Sequence, residues 1–204
     1  MIDIMRRILF VCLFTLSLSP AALADEAQDK QVEIGVTAYD GGDYQRAKTI
    51  LLPLAEVGHP KAMNLIGLMH RYGRGFITAP TTACDLYEQS ATRGYPSAMF
   101  NLSRCYERGV GRSIDNDIAH QWMLRAANSG VILAILRLAD HEHSTAEERR
   151  RWLQKAVKGG NRYAAALLWA DGHREDAPDF SLLDELCIMV RIVVLHQGVL
   201  ACDK

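Results

Sequence analysis

The phrase "ATRGYPSAMFNLSRCYERGVG", residues 91–111, has relatives both upstream and downstream in this 204-residue chain. Its opening Ala-x-x-Gly step recurs as "AEVGHPKA", "ANSGVILA" and, with Val for Ala, "VKGGNRYA", which places glycines at Gly58, Gly94, Gly130 and Gly160. The intervals are 36, 36 and 30 residues. A period in the thirties with two helical patterns per unit means stacked helix hairpins, because no single hairpin can bury its own apolar face.

The columns agree with that register. Four residues after each glycine stands an alanine, Ala62, Ala98, Ala134 and Ala164, and four further on stands Ile66, Leu102, Leu138 or Leu168. Residues four apart share one helix face, so these pairs are core positions. The next column is small in three units, Gly67, Ser103 and Ala139, and is broken by Trp169 in the fourth. The second helices align as "DLYEQSATRG", "HQWMLRAANSG" and "RRWLQKAVKGG", with Leu86, Trp122 and Trp152 in one column read as core. The short third interval falls where "ERGVGRSIDND" is replaced by "HEHSTAE", and it reads as a trimmed loop between intact helices.

Residues 98–130 and 62–94 resemble the Sel-1-like repeat, a relative of the tetratricopeptide repeat. Both run from an Ala-x-x-x-Ile or Ala-x-x-x-Leu helix through a Gly-x-Gly loop to an aromatic-bearing helix ending in glycine. The opening "EIGVTAYDGGDYQRA" is closer to the tetratricopeptide form, with Gly35, Gly42, Asp43, Tyr44 and Ala47 in register. The resemblance covers roughly residues 31–172. It implies an all-α fold, a right-handed solenoid of stacked antiparallel helix pairs, with four to five pairs over residues 25–174 and a capping element over 175–204. The capping helix is expected to start near Ser181, with Asp184 completing a short capping signal.

The ends set the compartment. Arg6 and Arg7 precede an apolar run over residues 8–18, and "SPAALADEA" follows. The run is shorter than the roughly 20 residues a bilayer needs. A basic start, a short apolar middle and a small-residue site make a secretory signal peptide over residues 1–24, cleaved after Ala24, and a periplasmic protein. Cys84, Cys105, Cys187 and Cys202 lie beyond it, an even number in an exported chain, which suits a disulfide framework. Cys84 and Cys105 lie equally far from the turn at Gly94 and Tyr95, so an antiparallel pair of helices sets them opposite each other. Closing that loop is worth roughly 3 kcal/mol by loop entropy. Cys187 and Cys202 pair only if the tail folds back along the capping helix.

No Ser-x-x-Lys, Gly-x-Ser-x-Gly, His-Glu-x-x-His or Cys-x-x-Cys occurs, so the chain is read as a non-enzyme with no cofactor. The "HEH" at residues 141–143 is no metal site, since residues two apart diverge by about 200° on a helix. "EERRR", residues 147–151, is read as a solvated face. With 23 basic against 24 acidic residues, there is no electrostatic case for nucleic acid.

What remains is a binding module. In tetratricopeptide-like arrays the first helices line the concave face, so the positions between core columns are the candidate contacts. Those are Asn64, Leu68, Arg71 and Tyr72 in one unit and Phe100, Arg104, Glu107 and Arg108 in the next, centred on Phe100, Arg104 and Tyr72. An aromatic beside arginines suits a protein partner. The resemblance implies that this partner is another exported protein, held by a scaffold, a regulator or an immunity protein that neutralises a secreted phospholipase effector. The competing class, also implied by cysteine-rich relatives, is a penicillin-binding or β-lactam-hydrolysing enzyme; the missing Ser-x-x-Lys argues against it.

Overall fold

The computed structural model describes residues 20–141 and 144–176, with side chains from residue 25 onward save at residue 174. The core of the leader, the capping helix from Ser181, and Cys187 and Cys202 therefore lie outside the described residues. Those that are described form helices and turns, with no strand among them. The order is α1 (Pro20–Asp40), α2 (Tyr44–Glu56), α3 (Pro60–Tyr72), α4 (Pro80–Thr92), α5 (Pro96–Arg108), α6 (Asn116–Asn128), α7 (Ile132–Ala139), α8 (Ala146–Lys158) and α9 (Arg162–Ala170), followed by a 3₁₀ turn (Arg174–Asp176). The residues expected to precede cleavage, 20–24, are the first turns of α1.

Local chemistry sets the helix ends. Proline begins α3, α4 and α5, where its missing N–H has no intrahelical partner to lose. Side chains of Asp43, Asp115, Thr145 and Asn161 accept from the first free backbone N–H groups of α2, α6, α8 and α9. His59 does the same for α3 through Nδ1, while its Nε2 lies 2.9 Å from Asp29. The Ala-x-x-Gly glycines turn the chain from one helix into the next. Gly94, at φ +86°, takes a left-handed conformation that a side chain would oppose.

The chain divides into two compact units at residues 78 and 79. In the first, α1 packs on α2, α2 on α3, and α1 touches α3. Gly35 of α1 lets the Leu51 side chain of α2 approach so closely that an added methyl would lie 2.5 Å from it. In the second unit each helix from α4 to α9 packs on the next, the pattern of stacked hairpins. Its main core runs from Met123 through Ala134, Ile135, Leu138, Leu153 and Ala164 to Leu168. The alanine column Ala62, Ala98, Ala134 and Ala164 is wholly buried, and so, nearly, are Ile66, Leu102, Leu138 and Leu168.

Three readings change. First, the short third interval is taken mostly from the helix. α3 and α5 have 13 residues each, α7 has 8, and the following connection is shorter by only one residue. Second, Trp122 and Trp152 are half-buried, while their neighbours Tyr87, Met123 and Leu153 form the buried column of α4, α6 and α8. One residue is about 100° around a helix. That step leaves each tryptophan on the flank, with Arg125 4.6 Å from the Trp122 ring centre and Lys155 5.4 Å from that of Trp152. Third, "EERRR" is no free solvated face. Arg149 donates to Asp140 and Asp171, the residues that end α7 and α9, and Arg150 donates to Glu175 and Asp176. Burial opposes the Arg149 charge, yet hydrogen bonds to the two aspartates hold its pKa above the ordinary arginine value.

Candidate functional site

The glycine loops position the ends of the long first helices. Gly73 and Gly109 close α3 and α5 in the left-handed conformation. Two residues on, Gly75 and Gly111 lie against the start of the preceding second helix. A methyl on Gly111 would fall on the Pro80 carbonyl of α4, and one on Gly75 would lie 2.9 Å from the Tyr44 carbonyl of α2. The second glycine of the motif is there for close backbone approach. Arg112, next in the loop, donates to Asp85 and Glu88 at 2.6 and 2.9 Å. Burial works against its charge, but the hydrogen bonds to Asp85, Glu88 and Tyr106 outweigh it and raise its pKa. Cys84 of α4 and Cys105 of α5 are joined in a disulfide with Cα atoms 6.2 Å apart, as the symmetric spacing about the turn required.

In the first unit, the expected contacts at the end of α3 are engaged by aromatic groups. Arg74 lies 5.3 Å from the ring centres of Tyr39, Tyr44 and Tyr72, and its Nη1 donates to the Tyr39 hydroxyl. Arg71 lies 5.8 Å from the Tyr72 ring, which is 52% exposed. Leu68 is half-buried, and Asn64 is buried at 3% exposure, so its side chain does not face solvent. His70 stacks on Phe76 at 4.1 Å with Lys48 4.2 Å from the same ring. Burial, with Lys48 adding to it, holds the His70 pKa below the usual value, although a hydrogen bond donated to the Ile77 backbone works the other way.

In the second unit, Phe100 is half-buried against the core and Arg104 places its guanidinium 5.8 Å from that ring. Glu107 accepts from Arg137 of α7 at 2.8 Å, and Arg108 is exposed. Sequence reasoning missed two exposed apolar residues on later helices of this unit. Leu133 on α7 is 62% exposed and Tyr163 on α9 is 46% exposed, each one residue before the buried alanine of its repeat. Their shared column was legible; their exposure was not, because an apolar residue in an Ala-rich helix reads as core. Tyr72 belongs to the first unit, whereas Phe100 and Arg104 belong to the second.

The second unit also holds a cleft of about 1140 Å³ between α6 and α8, at the end of α7. Its walls include Asp117, His120 and Leu124 of α6, and Arg151, Trp152 and Lys155 of α8. His120 and His141 meet edge to face with ring centres 6.0 Å apart. Of the "HEH" triplet, residues 142 and 143 lie outside the described residues. A different trio, His173, Glu175 and Asp176, brings possible ligand atoms within 4.8 Å of one another. Arg150 already holds both carboxylates, at 3.0 and 2.6 Å, which fits an ion-pair cluster better than a metal centre.

Sequence comparison matches the Sel1 repeat at residues 60–95, 96–131 and 150–161. The chain carries Sel1 repeats. Solved structures agree. A Sel1 repeat protein from Oxalobacter formigenes is 26% identical with a TM-score of 0.62, over 70% of this chain and 61% of that one. A protective antigen of uropathogenic Escherichia coli displaying an SLR fold superposes with a TM-score of 0.60 at 20% identity, over 74% of this chain and 35% of that one, a likeness of fold alone. Among curated proteins, an uncharacterised protein of Neisseria meningitidis serogroup B is 31% identical over 150 residues, 72% of this chain and 31% of its own length. The chitin synthase regulator SKT5 of Saccharomyces cerevisiae is 28% identical over 124 residues, 56% of this chain and 18% of its own length. The chain thus spans under a third of either curated relative. Sel1 repeats are in general protein–protein interaction modules, and that coarse function comes with them.

Proposed function

We propose that this chain is an exported, periplasmic binding module that holds another exported protein along the first helices of its second unit. The observation that carries this reading is the register of the exposed apolar side chains. Leu133 and Tyr163 occupy one repeat column on α7 and α9 and are exposed, and α5 of the same unit carries Phe100 with Arg104 over its ring. Large apolar groups repeated at one register on a polar surface are contact anchors. The Cys84–Cys105 disulfide supports an oxidising compartment, and the basic–apolar–small leader pattern supplies the route to it. No helix among the described residues is long and apolar enough to cross a membrane. An immunity or scaffold role is a narrower form of the same reading, in which the held protein is a secreted effector or an envelope component.

The test is a photo-crosslinking amino acid placed at position 133 or 163 in the native host. The reading expects a discrete adduct with one exported protein, and none from position 93, just past the end of α4. Adducts from position 93 alone, or an unprocessed chain recovered from the cytosol still carrying Met1, would overturn it.

A further inference from the structure

The cleft of the second unit exists because α7 is short. In the full-length repeats, the residue seven beyond the column alanine is Met69 or Cys105, both fully buried. In the third repeat that position is His141, which lies past the end of α7 and is exposed. Five missing residues withdraw about 7.5 Å of helix. The space they would fill is left open between the flanks of α6 and α8.

Its lining is not neutral in arrangement. On the acidic side, Glu107 is taken by Arg137 and Glu148 by the capping box with Thr145, while Asp117 stands exposed on the opposite wall, on α6. On α8, Arg151 forms no ion pair with any described carboxylate, although it lies near enough to help lower the Glu148 pKa, behind the Thr145 hydrogen bonds that lower it most. Lys155 donates only to the neutral Asn128 side chain, at 2.9 Å, and its ammonium lies over Trp152. The α8 wall therefore offers cation, indole, cation, facing Leu124 and Met123 on α6. A volume of about 1140 Å³ exceeds the 300–1,000 Å³ usual for a small-molecule site and suits several residues of extended chain. Two cations without a carboxylate partner are too few for a nucleic-acid backbone, which is bound through many phosphate contacts.

We propose that this cleft binds an acidic peptide segment of a partner protein, its carboxylates on Arg151 and Lys155 and an apolar side chain against Trp152 and Leu124. The site stands on its own geometry, separate from the first-helix strip, so the two readings can fail independently. A purified full-length chain is titrated with fluorescein-labelled Glu-Phe-Asp-Leu-Glu and with its counterpart Lys-Phe-Lys-Leu-Lys. The acidic peptide binds and the basic one does not, with affinity falling steeply as salt rises. Arg151→Glu with Lys155→Glu weakens the acidic peptide at least about tenfold, as loss of complementary charge requires. Arg93→Glu, a charge change elsewhere on the unit, shifts Kd by less than about twofold. Asp117→Asn, which removes the carboxylate of the facing wall, tightens binding about two- to threefold and keeps the test decisive if the double reversal misfolds. Equal binding of the two peptides, no binding of the acidic one, or an unchanged Kd in a folded double reversal overturns the proposal.

Discussion

The hairpin α5–α6 and the hairpin α7–α8 share an alanine column, a leucine column and a flanking tryptophan, yet they are finished in different ways. The first has a 13-residue opening helix and a Gly-x-Gly loop lying on the Pro80 carbonyl, and a disulfide ties its opening helix back to α4. The second has an 8-residue opening helix and a loop without glycine. Its ends are held by polar groups: Arg149 between Asp140 and Asp171, Ser144 donating to the Leu138 carbonyl at 2.7 Å, and the Thr145 capping box. The repeat columns fix which faces are buried. They leave the length of the helix and the means of closing it free to vary, and the variation is where a cleft appears.

The sharpest way to break the contrast is to cut the staple of the complete hairpin. Cys84→Ser is expected to cost about 2–4 kcal/mol in denaturant unfolding, with Cys105→Ser costing the same and the pair no more than either alone. Additive losses, or free thiols at both positions on non-reducing peptide mapping, would remove the staple from the account. Next comes the loop glycine. Gly111→Ala puts a methyl onto the Pro80 carbonyl at φ +76° and should cost about 1–3 kcal/mol. A neutral result would mean that the loop can step away from α4.

Smaller effects belong to the short hairpin. Arg149→Ala should cost about 1–2 kcal/mol, since it releases two half-exposed carboxylates from charged hydrogen bonds. Local hydrogen exchange should rise at the ends of α7 and α9. Thr145→Ala should cost about 1 kcal/mol and raise exchange in the first turn of α8 only. The same cap carries a pH signature. Hydrogen bonds from Thr145 hold the Glu148 pKa below its usual 4.5, so its contribution is complete above that value and fades as pH falls through the lower folded value. Glu148→Gln should flatten the stability profile in that window; an unchanged profile would show that the cap does not titrate. For the binding face, Phe100→Ala with Arg104→Ala should weaken a protein partner by about 2 kcal/mol. Because Phe100 also touches the core, its thermal midpoint must be measured alongside.

The repeats were legible because stacking constrains many positions at once. Glycine, alanine and leucine columns agree in one register, which is the mark of a repeat architecture. The disulfide was legible from distance to a turn. The shortened α7 was not, because a missing helical turn and a missing loop are the same deletion in sequence. Hydrogen bonding decides between them, and Asp140 and Ser144 supplied a polar stop that "HEHSTAE" alone did not announce. The tryptophan column failed for a related reason: Trp122 and Trp152 are large and apolar, but the neighbouring Met123 and Leu153 fit the interior better. Asn64 was misplaced as a contact because a position between columns is solvent-facing only where no neighbouring side chain covers it. Arg149 escaped notice because its partners, Asp140 and Asp171, lie 9 and 22 residues away, beyond any local charge pattern.

The Cys84–Cys105 bond joins the second helix of one repeat to the first helix of the next, across 21 residues of chain. Under tension that has a consequence for extensibility. At about 3.3–3.6 Å per extended residue, the bond withholds roughly 70 Å of contour length from any force applied outside it. A chain pulled at its ends could unravel on either side of residues 84–105 and still carry load through the sulfur atoms rather than through the turn at Gly94. That segment is a mechanical fuse that only a reductant can release.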